Sequence, residues 1–380
     1  MCLVRNERRI TSERCYKVER NLFYKELSKV KRYLKDFKLT VDFVESAIYD
    51  CLNSRGNSKK RWKRLDVAYF LSDYLISFGR NRGLNRQNLA HYIHDYIMNH
   101  KDFKKAFTVL IHDIAVSIFN EIDTQSIKLK PIIYQSRVDV SSDKVRKIGL
   151  ASVKQQVYDY IAVKACKTMF LNKIGTYQCA SIKGRGQTYG KKAIEKWIRK
   201  NPKKCKWVWK GDIEKFYPSV PHDKLKKLLK RDIKNSIVIY ILFTLINTYI
   251  KGLCIGSYLS QFLANYFLSY AYHYLSEKCF KIRHKRNGTI QRVRLLHYVL
   301  FYMDDIVIFG SSKKHLKLCI KALNNYLCVQ LGLKIKNNEQ LFKLDTRPID
   351  RMGYRIYTDK TTIRKRIFKR ANKMICRYRS

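Results

Sequence analysis

The sequence predicts an α+β fold, and three observations carry that reading. The N-terminal third places its apolar residues at helical spacing. The C-terminal third holds short β-prone runs that meet at acidic residues. Hydrophobic residues make up 46% of 380 positions, enough to bury a sizeable core, so the chain is not a disordered basic tail. Glycine and proline are sparse, at 15 and 5, which argues against long linkers, and no repeat or low-complexity tract is visible.

Taken in order, residues 21–37, 41–52, 67–78, 86–99 and 103–122 read as helices, with Asn81-Arg82-Gly83-Leu84-Asn85 as a connector. Residues 1–125 are thus expected to form a helical basic extension. Residues 206–210, which include Trp207, Val208 and Trp209, read as a strand running into Asp212. Pro218 and Pro221 are expected to end that strand and start a helix over residues 223–230, with Ser219 or His222-Asp223 as its cap. The longest apolar run, residues 237–246, is too short to cross a bilayer and reads as a buried helix. Ser257 is placed to cap a helix over residues 257–265. Residues 295–301 and 306–309 are strongly β-prone and flank Tyr302-Met303-Asp304-Asp305, which predicts a hairpin with acids at its tip. Residues 364–378 can form one basic helix.

The adjacent carboxylates of Asp304 and Asp305 repel each other and lose hydration, so they call for compensation. A divalent cation is the natural one, because Mg²⁺ takes oxygen ligands and bridges substrate phosphates. An exposed Asp-Asp turn is the plainer reading of the tetrapeptide alone. Asp212, a third acid aimed from a strand end, strengthens the metal reading. Asp212 could instead cap the following turn, but the chain offers Ser219 and His222-Asp223 for that.

Composition points to a polyanionic partner. Lysine and arginine number 79 against 30 acids, a formal charge of +49, which favours salt-sensitive binding to nucleic acid. Among 27 tyrosines and 18 phenylalanines, those interleaved with lysines could stack on bases. The 11 cysteines show no C-x-x-C and no zinc spacing, which suits reduced thiols in a cytoplasmic protein. His91 and His94 fall three apart on an expected helix and read as a helix surface rather than a metal pair. Met1-Cys2-Leu3-Val4-Arg5 turns charged at once, so neither a signal peptide nor a membrane anchor is expected.

Several ordered motifs then carry a resemblance. Asp212-Ile213-x-x-Phe216-Tyr217-x-Ser219-Val220 comes first. Gly252-Leu253-x-Ile255-Gly256-Ser257-x-x-Ser260-Gln261-x-x-Ala264-Asn265 follows, and then Tyr302-Met303-Asp304-Asp305, a YMDD motif. In this order they resemble the palm of a reverse transcriptase. Leu331-Gly332-Leu333-Lys334-Ile335 and Met352-Gly353-Tyr354 resemble the two later palm motifs. Lys144-Val145-Arg146-Lys147-Ile148 and Ser181-Ile182-Lys183-Gly184-Arg185-Gly186-Gln187 resemble fingers segments. The likeness spans residues 144–357. It implies a right-hand polymerase with fingers and palm over residues 126–357 and a short C-terminal helix, a reduced thumb, over residues 358–380. Two departures stand out: many members of the family carry Gln where this chain has Ile255, and Pro where it has Gln261. Ser260-Gln261 resembles the diversity-generating and the defence-associated "unknown group" bacterial branches.

The resemblance implies an RNA-directed DNA polymerase that uses deoxynucleotide triphosphates and two Mg²⁺ ions, with Mn²⁺ as a substitute. Asp212, Asp304 and Asp305 would hold the metals, Asp212 and Asp304 as direct ligands, and the Ile213 carbonyl would add a ligand. Tyr217, five residues after Asp212, looks like the steric gate that fills the space of a ribose 2′-hydroxyl. Lys144 and Arg146 are triphosphate-clamp candidates, Arg146 being the stronger because its fork matches phosphate. Gly256 would let backbone approach a base pair or sugar, with Ser257 beside it. Arg185, Gly186, Tyr302, Met352 and Gly353 are candidates for template or primer contact. Gly184-Arg185-Gly186 matches no phosphate-loop pattern and reads as a fingers loop. The partners implied are an RNA template, a DNA product or primer and a noncoding RNA. The stretch after Gly353 shows no nuclease, integrase or maturase signature. Antiphage defence is the role the nearest branch implies; a diversity-generating enzyme, template-independent DNA synthesis and a non-catalytic RNA-binding palm are the alternatives.

Overall fold

The computed structural model describes residues 32–56, 59–139 and 144–379, and the side chains at 55–60, 139, 144 and 379 lie outside the description. The described chain begins with helices α1 (Val41–Asn53), α2 (Leu65–Ser77), α3 (Arg86–Asn99) and α4 (Thr108–Asp123). Their burial follows helical spacing: Val44, Ala47, Ile48, Cys51 and Leu52 share one face of α1. Thr40 Oγ1 accepts the Phe43 N–H at 3.2 Å and Asn85 Oδ1 the Asn88 N–H at 2.9 Å, capping α1 and α3.

Two expected helices differ. Residues 103–122 divide into a turn at Phe103–Ala106 and α4, because Phe107 leaves helical geometry between them. Its ring packs 6.3 Å from Trp62. Of the helix expected over 21–37, residues 21–31 lie outside the described residues, and 32–37 are not helical. Tyr33 instead forms a parallel bridge with Ile233, donating its N–H to the Asp232 carbonyl at 2.7 Å. Tertiary pairing overrides the helical spacing there.

A hairpin of β1 (Ile133–Asp139) and β2 (Lys144–Leu150) leads into α5 (Val153–Lys173). Helix α5 is buried on several faces, with Val157, Tyr158, Ile161, Ala162, Cys166 and Phe170 all enclosed. The N-terminal helices and the helices that follow pack on it as one apolar core.

Strand β3 (Gln178–Cys179), α6 (Gln187–Lys200) and β4 (Trp207–Asp212) come next. Helices α7 (His222–Asp232), α8 (Ser236–Asn247) and α9 (Tyr258–His273) then precede an exposed hairpin, β5 (Phe280–His284) and β6 (Ile290–Arg294). The chain returns as β7 (Tyr298–Tyr302) and β8 (Asp305–Gly310), then α10 (Lys313–Tyr326) and β9 (Gln340–Lys343). A small sheet of β10 (Ile349–Arg351), β11 (Tyr354–Ile356) and β12 (Thr361–Ile363) follows. The last helix is α11 (Lys365–Arg379). Its described side chains are all exposed, including Ile367, Phe368, Met374, Ile375 and Tyr378.

The central sheet has order β9-β4-β8-β7-β3, antiparallel except for the β7–β3 pair. Both its faces are covered, which explains why residues 306–309 are continuously apolar rather than alternating. Ile306 and Ile308 belong to the helical core behind the sheet, whereas Val307 and Phe309 join a second cluster with Trp197, Leu300 and Phe342.

The segment after β4 differs from expectation. The strand ends at Asp212, and Lys215 takes a left-handed φ of 43° before a single helical turn, Phe216–Ser219. Pro221 occupies the cap position of α7, and no side chain caps it. Ser219 Oγ donates to the Glu214 carbonyl at 3.1 Å, and His222 Nε2 lies 2.5 Å from the Gly252 carbonyl. Both groups hold the loop shut rather than cap the helix.

Gly252 is fixed by that closure. It sits at φ +61°, and a Cβ there would lie 2.1 Å from the Tyr217 carbonyl oxygen, which already accepts the Leu253 N–H at 2.7 Å. Gly252→Ala combines a left-handed L-residue with a backbone clash. It is expected to destabilise the protein by at least about 2 kcal/mol in urea denaturation. A change below about 0.5 kcal/mol, the range of an ordinary surface substitution, would show that this loop rearranges freely.

Candidate active site

Strand register builds the acidic site. Asp305 on β8 stands directly opposite Asp212 on β4 and opposite Tyr302 on β7. Cross-strand partners point to the same face, so the first two carboxylates meet. Met303 turns the hairpin at φ 52°. Asp304 is held beside them because its carbonyl accepts the Ile213 N–H at 3.1 Å. The Asp212 carbonyl in turn accepts the Lys336 N–H at 2.8 Å. Ile213 itself is 2% exposed, and its backbone pairs with Ile335.

Arg351, at the end of β10, makes direct ion pairs with two of these acids, and it was not among the candidates read from the sequence. Its Nη2 donates to Asp212 Oδ1 and its Nη1 to Asp305 Oδ1, both at 2.5 Å. The Arg351 side chain is 12% exposed. Nothing in its sequence context sets it apart, since it is one of 79 basic residues. Asp350 beside it pairs instead with Arg364, on the other side of the small sheet.

The three carboxyls titrate differently. Burial pushes the Asp305 carboxyl up to about 7 against the pull of Arg351, with Asp212 and Asp304 adding to the rise. Burial also acts on Asp212, but hydrogen bonding with Asp305, the Arg351 guanidinium and Lys336 outweigh it and hold that carboxyl below the usual range. The pair therefore titrates as a unit, with Asp305 the carboxyl held high and Asp212 the one held low. Asp304 is raised by burial and by Asp212, while Arg146 and Arg351 oppose the rise. No salt bridge to Asp304 forms among the described residues.

Tyr217 and Arg146 converge on Asp304. Burial pushes the Tyr217 hydroxyl up to about 12, with the Asp304 charge adding and Arg146 opposing. Arg146 lies on β2 opposite Arg137, and its side chain is exposed. Lys144 begins β2, and its side chain lies outside the described residues. Gly256, at φ +114°, makes its close approach to protein: a Cβ there would lie 2.6 Å from the Gly149 carbonyl oxygen. Gly149 donates its N–H to the Ile255 carbonyl at 2.8 Å, so β2 and this loop are locked together.

Ser257 is 3% exposed and fully engaged. Its Oγ donates to Asp159 Oδ2 at 2.7 Å and accepts the Ser260 N–H at 3.1 Å, capping α9 as expected. Asp159 also accepts the Tyr258 N–H at 3.1 Å. Burial raises its carboxyl to about 6. A buried carboxylate from α5 thus reinforces the helix start. The sequence held no signal for this pairing, because the partners are distant along the chain.

The remaining candidates lie around the β7–β8 tip and the small sheet. Tyr302 is half-buried on β7, and burial raises its hydroxyl while Gln187 opposes the rise. Gly186 is exposed at the start of α6. Arg185 is tied inward, its Nη1 donating to the Gly175 carbonyl at 3.0 Å. Met352 and Gly353 form the β10–β11 turn at φ 53° and 84°. Met352 is 6% exposed and packs against Gly190. His91 and His94 lie on α3, away from these acids in sequence, and His94 pairs with Asp95 at 3.7 Å.

The donor set suits a hard divalent cation, since carboxylate oxygens converge where a positive charge is already drawn in. As the side chains stand, no group of three His, Cys, Asp or Glu among the described residues is arranged to hold a metal. Two of the three acids are engaged by Arg351.

Comparison with known proteins decides the family. The family model "Reverse transcriptase (RNA-dependent DNA polymerase)" matches residues 135–356, more than half of the chain. The chain belongs to the reverse transcriptase family. It is an RNA-directed DNA polymerase of α+β fold, acting on an RNA template and nucleotides. No curated protein matches this reverse transcriptase. Among solved structures it is similar to an apo telomerase from Candida tropicalis truncated from its C-terminal domain, at 13% identity and a TM-score of 0.41. That likeness covers 85% of this chain and 76% of the other. The matched span of the reverse transcriptase contains the acids, Tyr217, Arg146 and Arg351. No helix among its described residues is long and apolar enough to cross a membrane.

Because burial raises Asp305 from 3.8 to about 7, the fold prefers its protonated form. That contribution is complete below the ordinary value and is lost as pH rises through about 7. Asp305→Asn, a neutral group that can still donate to Asp212, should escape the loss. In metal-free buffer its melting temperature should gain on wild type between pH 5 and pH 8. Parallel curves for the two proteins would show that Asp305 titrates as an ordinary carboxylate.

Proposed function

We propose that this reverse transcriptase extends DNA by two-metal nucleotidyl transfer, with Asp212 and Asp304 as direct ligands and Asp305 as the third carboxylate of the set. The observation that carries the reading is the cross-strand meeting of Asp212 and Asp305 beside Asp304. The Ile213 carbonyl is the candidate backbone ligand. Bound Mg²⁺, or Mn²⁺ in its place, would activate the attacking 3′-hydroxyl and stabilise the leaving pyrophosphate. The chain's own groups do the rest. Arg146 is exposed near Asp304, where a nucleotide triphosphate would bring charge. Tyr217, anchored through its carbonyl by Leu253, is the candidate gate against a ribose 2′-hydroxyl. Gly256 and Ser257 shape the wall behind the nucleotide; Lys144 is a further clamp candidate. Gly186, Tyr302 and the Met352–Gly353 turn are candidates for template and primer contact, and Arg185 supports the same loop.

We assign residues 1–125 to a basic N-terminal extension, of which residues 1–31 lie outside the described residues, 126–357 to fingers and palm, and 358–380 to a short C-terminal segment. That segment is not helical throughout, because β12 pairs back onto β11 before α11 begins. The exposed basic face of α11 suits a grip on a nucleic-acid duplex in place of a larger thumb. The biological role we favour is bacterial antiphage defence with a partner noncoding RNA. The Ser260-Gln261 pair supports one of the two bacterial branches it resembles, defence-associated or diversity-generating, and the +49 charge supports a nucleic-acid partner. Sequencing the nucleic acid that copurifies with the protein, before and after deoxynucleotides are added, tests that role. A template-repeat transcript would point to a diversity-generating enzyme instead.

Asp304→Ala with Asp305→Ala should abolish deoxynucleotide incorporation while RNA binding persists. The substitution relieves repulsion on Asp212 but leaves Arg351 paired with Asp212 alone, so circular dichroism must first show that the double variant is folded. Incorporation at the wild-type rate by the double variant would sink the catalytic assignment.

Tyr217→Val should raise ribonucleotide incorporation relative to deoxynucleotide, by on the order of 10²-fold if the ring alone excludes the hydroxyl. A competition assay with both nucleotides reads this directly. Unchanged selectivity would make the ring a packing residue.

A further inference from the structure

The Arg351 guanidinium is where a metal-dependent site would not be expected to keep a fixed cation. It reaches Asp212 Oδ1 and Asp305 Oδ1 at 2.5 Å each, one nitrogen to each carboxylate. Its side chain is 12% exposed, and its Nε is buried without a hydrogen-bond partner. A buried donor left unmatched is costly, so the fork is held here for its two charge-assisted bonds.

The backbone keeps it in place. Arg351 ends β10, and the next two residues, Met352 and Gly353, turn at φ 53° and 84°. Met352 is pinned against Gly190 of α6, and Arg364 anchors the neighbouring Asp350. The guanidinium therefore arrives from a sheet separate from the one that carries the acids. It neutralises acids that strand register forces together.

We propose that Arg351 is a positioning residue that acts as a resident counter-cation: it holds Asp212 and Asp305 in the metal-free enzyme and competes with the divalent ion for them. The inference rests on the two-metal reading given above. A dication and a guanidinium repel each other at the same carboxylates, so metal entry requires Arg351 to release at least Asp212 Oδ1. The free enzyme then binds metal weakly, and Asp304, without a salt bridge of its own, is the acid left open for first contact. A purely structural role makes the opposite demand, because a residue that only orients metal ligands strengthens metal binding.

The test is Mn²⁺ binding to the nucleotide-free protein, followed by electron paramagnetic resonance, for wild type, R351M, R351Q, R351K and D304N. Circular dichroism confirms folding of each. R351Q keeps an N–H donor for the acids without the charge, so it serves if R351M does not fold. Partners of metal ligands change affinity by ~10–100-fold when removed, normally weakening it. Here R351M and R351Q should bind Mn²⁺ more tightly by about tenfold, and R351K, which restores the charge, should return towards wild type. Wild-type or weaker affinity in the folded neutral variants overturns the proposal while leaving the metal reading intact, provided D304N weakens binding. If no protein in the series binds Mn²⁺ and D304N changes nothing, the two-metal reading fails as well.

Discussion

The antiparallel pairing of β4 with β8 is the constraint on which this molecule depends. One register sets Asp305 against Asp212, and a slip of a single residue would turn one carboxylate to the opposite face. The register is specified by the flanking apolar residues. Ile306 and Ile308 must enter the helical core while Val307 and Phe309 enter the cluster on the other face. Apolar packing on both faces thus aligns acids that would repel one another if unsupported. Burial, with the neighbouring acids adding, raises the Asp305 carboxyl, and Arg351 offsets part of that rise.

Around this pair, three distant segments are tied by backbone rather than by side chains. Leu253 bonds to Tyr217, Gly149 to Ile255, and Ile213 to Asp304. These links make Tyr217, strand β2 and the acidic turn one unit. Glycines at 252 and 256 permit it, since each stands where a Cβ would strike another chain segment's carbonyl. Helix α5 backs the arrangement, with Asp159 holding the start of α9 through Ser257 and the Tyr258 N–H. The N-terminal helices pack on the same α5, so the extension and the catalytic region share a core.

Much of this was legible in the residues. The hairpin at Tyr302–Asp305, the capping of α9 by Ser257, and helices α1, α2 and α3 all follow from local patterns within a few residues. So did the family, because its motifs are short and ordered. Local pattern failed where a tertiary contact competed with it. Tyr33 left its expected helix to pair with Ile233, Phe107 broke another to reach Trp62, and Ser219 turned to the Glu214 carbonyl instead of capping α7.

The sequence alone therefore determined the fold class and singled out these acids as candidates, since alternation, turn chemistry and motif order are local properties. Only the tertiary structure decided how those acids are neutralised. Arg351 is one basic residue among 79, on a strand of another sheet, and no spacing rule links it to Asp212. Its role exists through two 2.5 Å contacts that arise when the sheets dock. Counter-charge inside a folded chain is set by distance in space, which a linear pattern does not record.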